Sequence, residues 1–246
     1  MWRYRLYRLL WVALDGLFPP DCGGCGKTGV RWCAECRRQV RRPEEPLCPR
    51  CGQSKVSSHA PCSFCAHTSP VAAAVRSWAL FEGPVRQALH RIKYRRDLAL
   101  ADALMADVLP YFRSLGWREV DALIPVPLSS QRLQQRGYNQ AALLARPLAL
   151  GAGVPLWPRA LQRVRETRSQ VGLNRTERRK NVDGAFRAAP QVRGRVVVVV
   201  DDVATSGATL DACARALLAA GARRVYGFTV ARAPLDADAP RSGQRW

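Results

Sequence analysis

Two adjacent carboxylates followed by a knot of hydroxyls carry the strongest chemical signal in this chain: Asp201 and Asp202, then Thr205, Ser206, Gly207, Ala208 and Thr209. Hydroxyl and backbone amide donors packed into five residues can surround a phosphate where a helix begins. Two acids beside that cradle can accept from sugar hydroxyls and organise a divalent cation. A receiver-type pair of metal-binding aspartates would not need Thr205, Ser206, Gly207 and Thr209 in one turn. A Walker loop would need a Gly-Lys pair, and none stands here. The string reads as a sugar-phosphate site.

A second chemistry lies near the N-terminus. Eight of the nine cysteines fall into four Cys-x-x-Cys pairs, Cys22/Cys25, Cys33/Cys36, Cys48/Cys51 and Cys62/Cys65, and Cys213 stands apart. Each pair turns two thiolates toward one point, so four pairs predict two structural Zn2+ ions in tetrahedral sites. Disulfides are the competing reading, which the lack of a secretory signal disfavours. Sequential pairing, with Cys22, Cys25, Cys33 and Cys36 on one ion, closes the shorter loops; crossed pairing also fits the spacing. His59 and His67 lie nearby, but eight thiolates already fill two sites. Fully ligated zinc has no open position for catalysis, so the segment reads as a structural or docking element. Its Arg31, Arg37, Arg38, Arg41, Arg42 and Arg50 could also meet nucleic-acid phosphates.

A third group is Arg132 and Arg136, read as flanking a loop between 128 and 140. Their forked donors suit a pyrophosphate, and plain surface charge is the alternative.

These residues need a scaffold that brings strand ends together. Val196 to Val200 fit a strand covered on both faces, as in a parallel sheet, with Asp201 and Asp202 where it ends. Val120 to Pro127 reads as a second strand ending in a rigid turn, and Val71 to Phe81 as a third. Helices are expected from Pro84 to Tyr94, through Leu100, Leu104, Met105, Val108 and Phe112, and from Ala141 to Leu150. The class expected is α/β: an open parallel sheet with helices on both faces, behind a small cysteine module.

The acidic string resembles the phosphoribosyl pyrophosphate (PRPP) motif of type I phosphoribosyltransferases. The wider pattern resembles the ComF family: GLFPPDCGGCG at the start, PVPLSxxRxxxRGYNQA from Pro125, then Thr167, Gln170, Leu173, Arg178, Asn181, Val182 and Phe186, and VVDDVATSGATL to Leu210. That resemblance implies a double zinc ribbon before a phosphoribosyltransferase-like domain. Asp201 and Asp202 would hold the ribose hydroxyls and Mg2+, and Thr205, Ser206, Gly207, Ala208 and Thr209 the 5'-phosphate. Arg132 and Arg136 would take the pyrophosphate against the Pro125 to Pro127 turn. The basic stretch 163–187 would be the mobile loop that closes over PRPP.

The family also implies partners: PRPP, single-stranded DNA during uptake for natural transformation, and a competence helicase. Purine-salvage enzymes carry an acidic base three residues after the second acid, and Thr205 stands there, which speaks against purine activation by that route. Three functions remain open: a DNA-uptake factor using PRPP, a phosphoribosyltransferase with an unassigned acceptor, and a zinc-ribbon adaptor with a non-catalytic PRPP fold.

Charge sets the outer bounds. The chain has 39 basic and 19 acidic residues and a formal net charge of +20, which attracts polyanions. Only Lys27, Lys55, Lys93 and Lys180 are lysines. Residues 1–20 read as an amphipathic helix stopped by Pro19 and Pro20, too short and interrupted by Asp15 for a membrane span. Residues 21–68 are expected to form the ribbon, 69–234 the main domain and 235–246 a flexible tail. The expected location is cytoplasmic, with peripheral contact at the inner face of the membrane as the alternative.

Overall fold

A computed structural model describes residues 19–68, 70–166, 177 and 181–234. The amphipathic helix expected within 1–18, the centre of the basic loop and the tail from 235 lie outside the described residues.

Four strands form one parallel sheet, β1 (Ala74–Leu80), β2 (Ala122–Pro125), β5 (Val196–Ala204) and β6 (Arg224–Arg232), in the order β1-β6-β5-β2. The five valines behave as their pattern predicts. Val198 and Val200 join one core with Phe228 and Val230, while Val197 and Val199 join the other with Ile124 and Val225. Alternate residues of a strand point to opposite faces, so an unbroken apolar run is what a doubly covered strand requires.

Helices cover both faces. On one side pack α3 (Gly83–Tyr94), α4 (Leu98–Ser114) and α6 (Gln140–Ala152), which supply Leu89, Ile92, Leu100, Leu104, Met105, Leu144 and Leu148. On the other side α7 (Ala208–Ala219) supplies Leu210, Cys213, Ala214 and Leu217. Helix α6 starts where the Asn139 side chain accepts from the amides of Ala141 and Ala142, and stops at Gly153, whose φ of 72° suits a residue without Cβ.

Three expectations need correction. The segment read as a loop between 128 and 140 contains a helix, α5 (Ser130–Arg136), capped by the Ser129 hydroxyl and closed by left-handed Gly137; one such Ser and one Gly eight positions apart suffice to start and stop it. The acidic pair lies inside β5 rather than at its end, because pairing with β6 continues to Ala204. The ends of the basic stretch are not free. Leu161–Arg163 (β3) and Phe186–Ala188 (β4) pair antiparallel.

The cysteine segment, with two short helices α1 (Ala34–Arg38) and α2 (Ser63–Thr68), lies against the sheet domain along two separate seams. At the first seam Cys22, Trp32, Cys33 and Cys36 share a core with Leu100 and Val85, Trp32 donates to Asp107 at 2.8 Å, and Arg91 donates to the Cys22 carbonyl at 3.0 Å. At the second, Val75 donates its amide to the Arg50 carbonyl at 2.7 Å and Arg232 reaches the Cys51 carbonyl at 3.0 Å. Gly52 is required there, since a Cβ would sit 2.4 Å from the Val75 carbonyl oxygen. Among the described residues no helix is long and apolar enough to cross a membrane.

Candidate functional site

The site grows from the C-terminal half of β5. Backbone alternation sends Asp201 and Asp202 to opposite sides, and the Asp202 amide donates to the Asp201 carboxylate at 2.9 Å. Asp202 is 4% exposed and ion-paired with Lys93 from the last turn of α3. Gln140, at the start of α6, helps to hold the Asp202 carboxyl low and takes a hydrogen bond from Arg136. Arg136 lies 5.6 Å from the Tyr94 ring centre. A continuous polar chain therefore runs Arg136, Gln140, Asp202, Lys93.

The two carboxyls titrate apart. Burial pushes Asp201 well above the usual carboxylate range, and the neighbouring Asp202 charge adds to the rise. Burial also opposes the charge of Asp202, but the Lys93 ammonium outweighs it and holds Asp202 low. Lys93 is raised in turn: its burial works against the ammonium and Asp202 prevails. The two acids are thus shifted in opposite directions, Asp202 down and Asp201 up.

Beyond β5 the chain turns through Thr205, Ser206 and Gly207 into α7. Gly207 has φ 68° and no side chain caps the helix, so the first-turn amides of α7 face the turn. Thr205 is exposed, Ala208 is buried, and Thr209 is half-buried. The Ser206 hydroxyl is buried without a hydrogen-bond partner among the described residues. Phe64 of α2 stands against this turn, 3.6 Å from where a Gly207 Cβ would be.

On the far side of Asp201 lie arginines. Arg163 of β3 is largely buried, its guanidinium 5.5 Å from the Phe186 ring centre, and burial first, then the charge of Arg132, lowers its pKa, while Asp201 acts in the opposite sense. Arg132 and Asp201 therefore act on Arg163 in opposite senses. Arg136 is joined to the acidic pair through Gln140 and the 205–209 turn follows directly on β5, whereas Arg132 is linked to this region only through its charge on Arg163. Lys93, Gln140 and Arg163 belong to it as well, and sequence reasoning did not single them out for it. A signal existed for Lys93: it is one of four lysines in an arginine-rich chain.

The cysteines form two clusters, Cys22, Cys25, Cys33 and Cys36, then Cys48, Cys51, Cys62 and Cys65, each with all sulfurs within 4.8 Å of one another. The pairing is sequential, and among the described residues no histidine enters either cluster. Closest Sγ pairs stand at 3.6 Å (Cys22, Cys36), 3.7 Å (Cys25, Cys33 and also Cys48, Cys65) and 3.5 Å (Cys51, Cys62). A zinc tetrahedron with bonds near 2.3 Å has edges of about 3.8 Å, whereas a disulfide needs about 2.05 Å. The thiolate sets fit Zn2+.

A double zinc ribbon model matches residues 13–66, and a phosphoribosyl transferase domain model matches 133–244. The Competence protein ComFC of Bacillus subtilis (strain 168) is 30% identical over 92% of this chain and 96% of its own. The chain belongs to the ComF family. Other relatives are the DNA utilization protein YhgH of Escherichia coli O157:H7, 35% identical over 81% of this chain and 89% of its own, and Competence protein F of Haemophilus influenzae, 30% identical over 82% and 90%. The sheet order, the two cysteine clusters and the acidic strand are thus this chain's version of a ribbon joined to a phosphoribosyltransferase-like fold.

Proposed function

We propose that the chain binds PRPP with Mg2+ at β5 and the following turn, and that it serves DNA uptake in natural transformation by handling incoming single-stranded DNA. The observation that carries the first half is the placement of the acidic pair: Asp202 buried and ion-paired with Lys93, and Asp201 beside it, directly before a turn that opens a helix N-terminus. In this reading Asp201 and Asp202 hold the ribose hydroxyls. Thr205, Ser206, Gly207, Ala208 and Thr209 hold the 5'-phosphate, and the unpartnered Ser206 hydroxyl gains an acceptor. Arg132, Arg136 and Arg163 face the pyrophosphate, whose charge Mg2+ would neutralise. Lys93 keeps Asp202 ionised and in place until the ligand arrives.

The DNA half is supported by the net charge of +20 and by relatives named for competence and DNA utilization. The experiment is a thermal shift with PRPP and Mg2+, repeated on Asp202→Asn, alongside filter binding of single strands across a salt series. Stabilisation by PRPP that the variant loses is the expected result; no shift in the native chain would sink the PRPP reading and favour an adaptor with a non-catalytic fold. Strand binding that falls with salt is expected, and none at low salt would sink the DNA role.

A second reading, true phosphoribosyl transfer, is favoured by the arginines gathered on the pyrophosphate side. Pyrophosphate released from PRPP only when an acceptor is added would establish it.

A further inference from the structure

Between the first cysteine cluster and α3 lies an open cleft of about 280 Å³ that the PRPP reading does not use. One wall is bare backbone, Gly24 and Gly26 of the Cys22/Cys25 turn, and the other is Gln87, His90, Tyr94 and Arg95. Its rings are ordered. Phe81 stacks on His90 with centres 6.3 Å apart, His90 meets Tyr94 at 5.4 Å, and the Arg136 guanidinium closes the row over Tyr94. Tyr94 is nevertheless 68% exposed, so much of its ring remains open to a visitor. Charge follows immediately: Arg95 and Arg96 are exposed, and Arg96 is held at φ 55°, a left-handed conformation that a non-glycine residue rarely adopts. Backbone strain of this kind collects where a loop has a task.

We propose that this cleft is a seat for single-stranded nucleic acid, with a base stacked on Tyr94 and the flanking phosphates held by Arg95 and Arg96. The proposal rests on the DNA-handling reading above and gives it a location. Aromatic faces beside arginines hold successive bases without regard to sequence, and a cleft of this size takes about one nucleotide unit. An acidic peptide would use the charges but has no need of an exposed ring bordered by backbone glycines. The position matters as well: His90 feels the charge of Asp202, and Lys93, three residues further along α3, pairs with it. A strand in the cleft lies beside the proposed ribose site, on the same helix.

A base with a phosphate could belong to a strand or to a free nucleotide, and anisotropy measurements on the zinc-loaded full chain separate them. A labelled oligothymidylate is the probe, with thymidine monophosphate as competitor. Tyr94→Ala should weaken strand binding roughly ten-fold or more, and Tyr94→Phe should restore it. Arg95→Ala should lower the salt slope by about one. The melting temperature without ligand should stay close to native in all three variants, showing that they fold.

Strand binding in the native chain that Tyr94→Ala leaves unchanged would overturn the location while leaving the DNA role intact. No strand binding in the native chain would remove both. Equal competition by the mononucleotide and by unlabelled strand would make the cleft a nucleotide pocket, against the proposal.

Discussion

Lys93 decides the state of the acidic pair. Its ammonium is the charge that keeps Asp202 ionised against burial, and removing it leaves a carboxylate without a counter-charge inside the protein. Lys93→Met should therefore destabilise the fold by about 3–5 kcal/mol, read by urea denaturation, because breaking one side of a buried pair leaves the other uncompensated. Asp202→Asn in the same background should recover part of that loss. The pH dependence follows from the two opposite shifts. Asp202, lowered in the folded state, contributes stability above its unfolded pKa that is lost as pH falls through the folded value. Asp201, raised, contributes stability below its unfolded pKa that is lost as pH rises through the folded value. Asp201→Asn should accordingly raise Tm at neutral pH by a few degrees, or about 1 kcal/mol, and the gain should vanish in acid. In the native chain, binding of PRPP with Mg2+ should release a proton from Asp201, measurable as a buffer-dependent heat that Asp201→Asn lacks.

At the level of elements, the turn from β5 into α7 sets the shape of the proposed phosphate cradle. Gly207 holds φ 68°, and alanine there should cost about 1–2 kcal/mol and reduce the PRPP-induced thermal shift by more than its effect on stability alone. The helices behind the sheet are held by ordinary packing: Leu144 of α6 is fully buried, so Leu144→Ala should cost about 2–5 kcal/mol in chemical denaturation while leaving ligand binding close to native. Much of this level was legible in the sequence. The valine run and the period of α4 each announce one element through one local rule. Helix α5 was hidden because a seven-residue helix with no buried residue has no apolar period to read. Lys93 and Gln140 were hidden for another reason: their partner is Asp202, far along the chain, and only the parallel sheet brings α3 and α6 to it.

Taken as a whole, the molecule ties its cysteine module to its ligand turn. The second cluster touches the sheet through Gly52 and Arg232, while Phe64 of α2 stands against Gly207. A small cavity of about 30 Å³ between them is lined by Cys51, Phe64, Ser206, Gly207 and Arg232. Buried Arg232 is drawn down in pKa by desolvation and supported by the nearby Cys51 and Cys62 sulfurs. Removing Zn2+ with a chelator should therefore loosen the 204–210 turn as well as the ribbon, seen as faster amide exchange there, and Cys62→Ser should do the same. A ribbon that merely tethers a partner would leave exchange at the turn unchanged.

The bond from Arg232 to the Cys51 carbonyl spans 181 residues of sequence, and β1 has a single neighbour in its sheet, β6, the last strand described. During synthesis at about 5–20 residues per second, Cys51 leaves the ribosome roughly ten to forty seconds before Arg232. Over that interval β1 has no partner strand and the second cluster lacks the Arg232 half of its seat. Thiolates that capture zinc early would protect the nascent chain while it waits, so metal supply during translation sets how much of this protein reaches its final form.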